Sequence, residues 1–310
     1  MAGLSPPGGP GTSSETPDRD RGQIILVTAF ALAVAFVALS VVINGAIFTQ
    51  NLATRGDTAG GGDALQQRQQ AEQMVGDLLE HANANYSSTS TSTQEFRDAV
   101  SDLSNASSYQ QSASGRAVDY TYVGSSNGTR ITNASGTFEN ATGSDDWVVA
   151  ENVPDTRQFD IDVTDASLLD GLLSDPFTVT VTNSSASWKM RIYNDGGDVE
   201  VKTTDGNGNN ATCSADASAS INVTAGLLDG RPCAALDFAE NVSGDYDIVY
   251  NNSDQVDGSY SLVVNATGAN IGNVTAQESV LYSTTVEYTY RTANLVYETD
   301  IRVAPGERDD

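Results

Sequence analysis

Few residues in this chain could carry chemistry, and their spacing narrows the choice further. Histidine occurs once, as His81. A Ser/His/Asp or Cys/His arrangement would need that one ring brought to a nucleophile far along the chain, and a surface position on a helix is the plainer reading. Asp160 and Asp162 imitate a glycosidase carboxylate pair, but alternate residues of a strand share one face, and 41 acidic residues make such pairs unavoidable. No P-loop, GxGxxG, HExxH or G-x-S-x-G occurs. Enzymatic activity is therefore not expected, and neither a cofactor nor a small-molecule substrate is evident. Asp205-Gly-Asn207-Gly-Asn209 has the alternating oxygens of the first half of an EF-hand loop, with Asp216 at the twelfth place. Asn210 stands where that loop requires glycine, so a plain Gly/Asn hairpin loop is preferred to a calcium site. Cys213 and Cys233 are neither a CxxC nor near the histidine. Outside a cell such a pair forms a disulfide more often than a metal site, and two buried free thiols are the alternative. A bridge closing a loop of this size contributes about 3 kcal/mol in the chain-entropy model.

The compartment of those cysteines follows from one apolar run, Ile24 to Ile43, with Arg19 and Arg21 ahead of it and no charge until Arg55. Twenty residues at about 1.5 Å each span roughly 30 Å, the hydrocarbon thickness of a bilayer. The run reads as a single transmembrane helix over 23–48, in contact with membrane lipid. The arginines on its amino side place residues 1–22, Pro/Gly/Ser-rich and disordered, in the cytoplasm and the rest of the chain outside. Twelve of the 22 asparagines open N-x-S/T sequons: Asn85, Asn105, Asn127, Asn133, Asn140, Asn183, Asn210, Asn222, Asn241, Asn251, Asn265 and Asn273. All come after the apolar run, where glycosylation would be possible. Asn, Ser and Thr are also simply common in exposed turns.

The net charge of −26 rests on 29 Asp and 12 Glu against 13 Arg and two lysines, Lys189 and Lys202. Such a surface repels nucleic acid and disfavours acidic substrates. The Asp-rich, Lys-poor balance resembles proteins of extreme halophiles. An acidic domain that binds divalent cations in ordinary salt is the alternative.

Position along the chain then separates hinge, helices and strands. Arg55 to Asp63 is a glycine-rich break, and residues 49–116 read as hinge and helical stalk. Leu65, Ala71, Met74, Val75, Leu78, Leu79 and Ala82 mark one face of a helix over 64–82. Ser87 to Thr93 reads as linker. Ser92 with Glu95 reads as a capping box opening a second helix that carries Phe96, Val100 and Leu103. From 117 to 303 the period is two. Strands are expected at Val118–Val123, Trp147–Val153, Gln158–Val163, Phe177–Thr182, Trp188–Tyr193, Val199–Thr203, Ala219–Thr224, Asp247–Tyr250, Tyr260–Asn265, Ser279–Tyr290 and Asn294–Val303. Asp195-Gly196-Gly197 is a hairpin turn between two of them, and 304–310 is a tail. The expected fold class is α+β: a transmembrane helix and helical stalk, then an antiparallel β-sandwich-like external domain.

Arg21-Gly22-Gln23, directly ahead of Ile24-Ile25-Leu26-Val27, resembles the class III signal of archaeal type IV pilin-like proteins. The order of parts, and the Arg302-Val303-Ala304-Pro305 end, are similar to those of haloarchaeal surface proteins with this leader. The resemblance implies cutting after Gly22 by a prepilin peptidase, and an apolar helix that packs with other pilin-like subunits. Two features depart from it: Val27 stands where many pilins carry glutamate, and the break at 55–63 interrupts what would be one long helix. The implied function is a non-enzymatic, single-pass cell-surface protein, either a pilin-like subunit or an accessory envelope component. A stand-alone membrane-anchored adhesion or binding module is the alternative, and an extracellular enzyme the minor one.

Overall fold

Strict alternation of apolar and polar residues builds the centre of this molecule. In Trp188-Lys189-Met190-Arg191-Ile192, the tryptophan, methionine and isoleucine are buried while the two cations point to the other face. Thr178, Thr180 and Thr182 likewise alternate with buried Phe177, Val179 and Val181. β-Branched and aromatic residues fit such a half-covered pleated surface.

The computed structural model describes residues 62–168 and 175–308. Helix α1 (62–85) and helix α2 (Thr89–Ser112) precede the strands β1 (Ala117–Asn133), β2 (Trp147–Val153), β3 (Thr156–Leu168), β4 (Phe177–Thr182), β5 (Ser187–Asp195), β6 (Asp198–Thr204) and β7 (Asn210–Ala215). Next come β8 (Ser218–Asn222), β9 (Leu227–Leu228), β10 (Arg231–Pro232), β11 (Tyr246–Asn251), β12 (Val256–Val264), β13 (Ala276–Arg291) and β14 (Val296–Val303). They form an eight-stranded sheet in the order β10-β9-β8-β3-β12-β1-β13-β14 and a six-stranded sheet in the order β2-β11-β4-β5-β6-β7. Every pairing is antiparallel.

Two cores result. In the first, Phe159, Ile161 and Val163 of β3 and Tyr260, Leu262 and Val264 of β12 pack with β4, β5, β6 and β11 of the six-stranded sheet. Tyr250 lies at its centre, with ring centroids of Phe177 at 5.2 Å, Tyr260 at 5.4 Å and Trp147 at 5.5 Å. In the second, Ala71, Val75 and Leu79 of α1 and Phe96 and Val100 of α2 cover Val118 and Tyr120 of β1, Val286, Tyr288 and Tyr290 of β13, and Ile301 of β14. Strand β1 serves both cores: Val118 and Tyr120 face the helices, and Ile131 faces the sandwich. Two register shifts against β13, at Tyr122/Gly124 and Ser126/Asn127, lie between those parts. A bulge adds a residue to one strand and re-aims the side chains beyond it.

The expected fold class is therefore corrected. The described helices are not a stalk: they are folded onto one end of a mainly antiparallel β structure, because their apolar faces find β1, β13 and β14. No helix among the described residues is long and apolar enough to cross a membrane. The span expected over 23–48, the leader 1–22 and the hinge as far as residue 61 lie outside the described residues. The capping box is corrected too. Helix α2 already begins at Thr89, and the hydroxyl of Ser92 donates back to the Tyr86 carbonyl at 3.2 Å from within the first turn. Between β5 and β6 the two-residue loop is Gly196-Gly197, with φ of +69° and +105°. Those values suit a primed hairpin turn and favour glycine.

Candidate functional site

The Asp205 loop joins β6 to β7, and its carboxylate is committed to N–H donors. The Asp205 Oδ1 accepts from the backbone N–H of Asn207 at 2.9 Å and of Asn209 at 2.7 Å. Its Oδ2 accepts from the side-chain amides of Asn209 at 2.8 Å and Asn241 at 3.2 Å. The Asn209 side-chain bond leads in holding the Asp205 carboxyl below its ordinary value; desolvation opposes it, and backbone N–H groups of Asn209, Asn207 and Gly208 reinforce it. A carboxylate encircled by donors is an Asx-type turn brace, and the same lone pairs are not open to calcium. Asp216 is exposed in the turn after β7. Among the described residues no group of three or more His, Cys, Asp or Glu could hold a metal ion.

The other candidates for chemistry are dispersed. His81 is exposed on α1, where its backbone carbonyl accepts from the Asn85 amide at 2.8 Å. Asp160 and Asp162 stand side by side on the outer face of β3, bonded to Gln158 at 2.9 Å and Ser259 at 3.5 Å. Burial raises the Asp160 carboxyl, the Gln158 bond lowers it, and the neighbouring charge of Asp162 raises it again. Cys213 of β7 and Cys233, just after β10, are joined with Cα atoms 6.1 Å apart. Strand β7 closes one edge of the six-stranded sheet and β10 one edge of the eight-stranded sheet. The bridge thus ties the two layers together at their rims.

None of the twelve sequon asparagines is buried. They divide by what holds the side-chain nitrogen, the atom to which an N-glycan attaches. Six donate to protein: Asn85 to the His81 carbonyl, Asn133 to that of Thr137 at 2.9 Å, and Asn183 to that of Ser243 at 2.8 Å. Asn241 donates to Asp205, Asn251 to Asp146 at 3.2 Å, and Asn273 to Thr142 at 3.3 Å. Among the described residues no such bond holds the nitrogens of Asn105, Asn127, Asn140, Asn210, Asn222 and Asn265. Sequence alone gives the triplets but not this division. The expected processing residues Arg21, Gly22 and Gln23 lie outside the described residues.

A polar cluster that no motif announced fastens the segment after β14. Arg157 of β3 is fully buried; its Nη1 donates to Glu80 of α1 at 2.5 Å and to the Pro305 carbonyl at 3.2 Å. Tyr282 donates to Glu307 at 2.8 Å, Arg302 pairs with the same carboxylate, and Arg308 donates to the Phe238 carbonyl at 2.6 Å. Burial pushes the Glu307 carboxyl up, but the bonds from Arg302 and Tyr282 and the charges of Arg302 and Arg157 hold it below its ordinary value. A Cβ on Gly306 would lie 2.3 Å from the Arg157 carbonyl oxygen, so glycine lets the segment pass closely over β3. These residues brace α1, β3 and the 237–238 loop.

Residues 18–137 match the model of a family of unknown function, DUF7261. That stretch runs from ahead of the apolar segment to the end of β1 and a few residues beyond. No curated protein and no solved structure matches the chain.

Proposed function

We propose that this chain is a non-enzymatic protein of the cell envelope, held to the membrane through its apolar amino-terminal run and displaying its β-rich part outside. The observation that carries this reading is the stretch from Ile24 to Ile43, free of charge as far as Arg55, with Arg19 and Arg21 ahead of it. Sequon asparagines confined to the accessible surface support an outside location. The Asp-rich, Lys-poor surface supports a haloarchaeal, salt-adapted protein. Within this class a pilin-like subunit or accessory component is preferred, since Arg21-Gly22-Gln23 offers a prepilin peptidase its cutting site directly before the apolar run. The glycine-rich break at 55–63 favours the second reading, a stand-alone anchored adhesion or binding module, because it interrupts a continuous pilin helix.

Mass spectrometry of the mature amino terminus, on protein taken from its native membrane, separates the two. A chain beginning at Gln23 supports pilin-type processing. A chain retaining residues 1–22 supports the simple anchor. Recovery of the protein only in the aqueous fraction would overturn both.

A further inference from the structure

Both lysines of this strongly acidic chain project from one sheet face. Lys189 and Arg191 of β5 alternate with buried Trp188, Met190 and Ile192, and Lys202 of β6 alternates with buried Val201 and Thr203. All three point outward from the six-stranded sheet, and Arg191 and Lys202 are direct cross-strand partners. Among the described residues none of the three forms an ion pair. The acid two residues from Lys202, Glu200, is engaged by the Tyr193 hydroxyl at 2.6 Å. Two open grooves, of about 550 and 510 Å³, share Lys189 and Arg191 in their linings. Like charges placed directly opposite destabilise a sheet, and the Glu200 carboxylate beside Lys202 offsets only part of that cost.

The eight-stranded sheet holds the complement. Glu287 of β13 and Asp300 of β14 are also direct cross-strand partners, and Glu298 stands two residues from Asp300 on the same face. They alternate with Val286, Tyr288 and Ile301, which are buried against the helices, so the acids point away from that core. Among the described residues Glu287, Glu298 and Asp300 form no ion pair, whereas nearby Arg302 is taken by Glu307. No sequon occurs between residues 276 and 308, or within β5 and β6. At the rim of the cationic grooves the sequon residues Asn183 and Asn251 have their side-chain nitrogens bonded to protein.

We propose that the cationic face of β5–β6 docks on the acidic face of β13–β14 in a second copy of this chain. The two faces are different surfaces of one molecule, so the contact is heterologous, and repetition gives an open chain or a ring of copies. Each like-charged pair, unfavourable alone, is neutralised by the other, and the match sets register between copies. In molar salt the screening length is about 3 Å, so only pairs in direct contact contribute, which favours flat faces that meet closely. The inference does not depend on cutting after Gly22, and either reading of the amino terminus leaves it intact.

Sedimentation velocity on the detergent-solubilised full chain tests it, in about 0.15 M salt, where the screening length is about 8 Å. Two variants are compared with the parent: K189E/R191E/K202E, and E287K/D300K. Each reversal keeps like-charged partners on its own strands, and near-ultraviolet circular dichroism checks that the parent and both variants are folded at that salt. The parent should form concentration-dependent multimers, and each variant alone should associate about tenfold more weakly or less. An equimolar mixture of the two should recover the multimers, because both new contacts in an alternating array are complementary. A monomeric parent, variants that associate like the parent, or a mixture of folded variants that stays monomeric would each overturn the proposal.

Discussion

The carboxamide of Asn83 closes both backbone hydrogen bonds of Leu281. Its Nδ2 donates to the Leu281 carbonyl at 2.9 Å, and its Oδ1 accepts from the Leu281 N–H at 2.8 Å. Strand β14 pairs with β13 only from Thr284 onward, so Leu281 would otherwise have no strand on that side. The side chain stands in for one residue of a missing strand and pins α1 to the sheet. Asn83→Ala should cost about 1–3 kcal/mol, since two buried backbone groups lose their partners. Chemical denaturation of the parent and variant would show it as a lower midpoint at unchanged slope.

Removing the rim bridge should have a comparable effect by another route. Cys213→Ala with Cys233→Ala frees a loop closed over a separation of 20 residues, worth about 3 kcal/mol in the chain-entropy model. Melting with and without reductant checks it, and the double variant should be indifferent to reductant.

Arg157 separates burial from pairing. Its guanidinium is 0 % exposed, and its Nε and Nη2 have no hydrogen-bond partner. Glu80→Ala leaves that charge without its carboxylate and should destabilise by about 1–3 kcal/mol, discounted because Glu80 is half exposed. Arg157→Met in the Glu80→Ala background should restore part of the loss, as an apolar replacement of a buried ion does. A double-mutant cycle in urea measures both.

Acid should act on this fold in two opposite ways. The folded Glu307 carboxyl lies below its ordinary value, so its contribution is complete above an unfolded value of about 4.3 and is lost as pH falls through the folded one. Glu307→Gln should flatten stability against pH in that window. The folded Asp160 carboxyl is raised, so ionised Asp160 weakens the fold at neutral pH and protonation relieves it. Asp160→Asn should therefore raise stability slightly at pH 7, by a few tenths of a kcal/mol at this half-exposed site, read as a small rise in melting point. The gain should vanish as pH falls through the raised value.

Dilution of salt should weaken the molecule more than loss of any divalent ion. With a net charge of −26, self-repulsion grows as the screening length rises from about 3 Å in molar salt to about 10 Å at 0.1 M. The melting point should fall steadily over that range. Millimolar calcium should not restore it, because the Asp205 oxygens already accept four N–H bonds. A melt raised sharply by calcium would reverse this assignment.

Strands with one clean apolar face, such as Phe177–Thr182, were legible because period two needs only local sequence. The full length of β1 was not. Its Gly124-Ser125-Ser126-Asn127-Gly128 stretch has no apolar face and is held by pairing with β13, more than a hundred residues away, while β12 joins β1 only from Thr129 onward. Helix α2 starts in Thr89-Ser90-Thr91, poor helix formers in isolation, because Phe96 and Val100 are buried against the strands. Arg157, between Thr156 and Gln158, reads as a surface residue; only the approach of α1 and the segment after β14 buries it. Accessible sequons were legible, but which side-chain nitrogens the fold uses depended on turns closed by distant partners, such as Asn183 with Ser243.

The second core has a consequence for how the molecule is made. Helix α2 packs chiefly on β1, which follows it directly, but the rest of the core that the two helices cover belongs to β13 and β14, some 170 residues later. Chain emerging in order, from ribosome or membrane pore, carries two amphipathic helices whose apolar faces are covered only in part, by β1, for most of its synthesis. Such non-local pairing is slow to form. A chaperone or membrane surface that shields Val75, Leu79, Phe96 and Val100 during that interval should raise the yield of folded protein far more than one acting on the first sandwich strands.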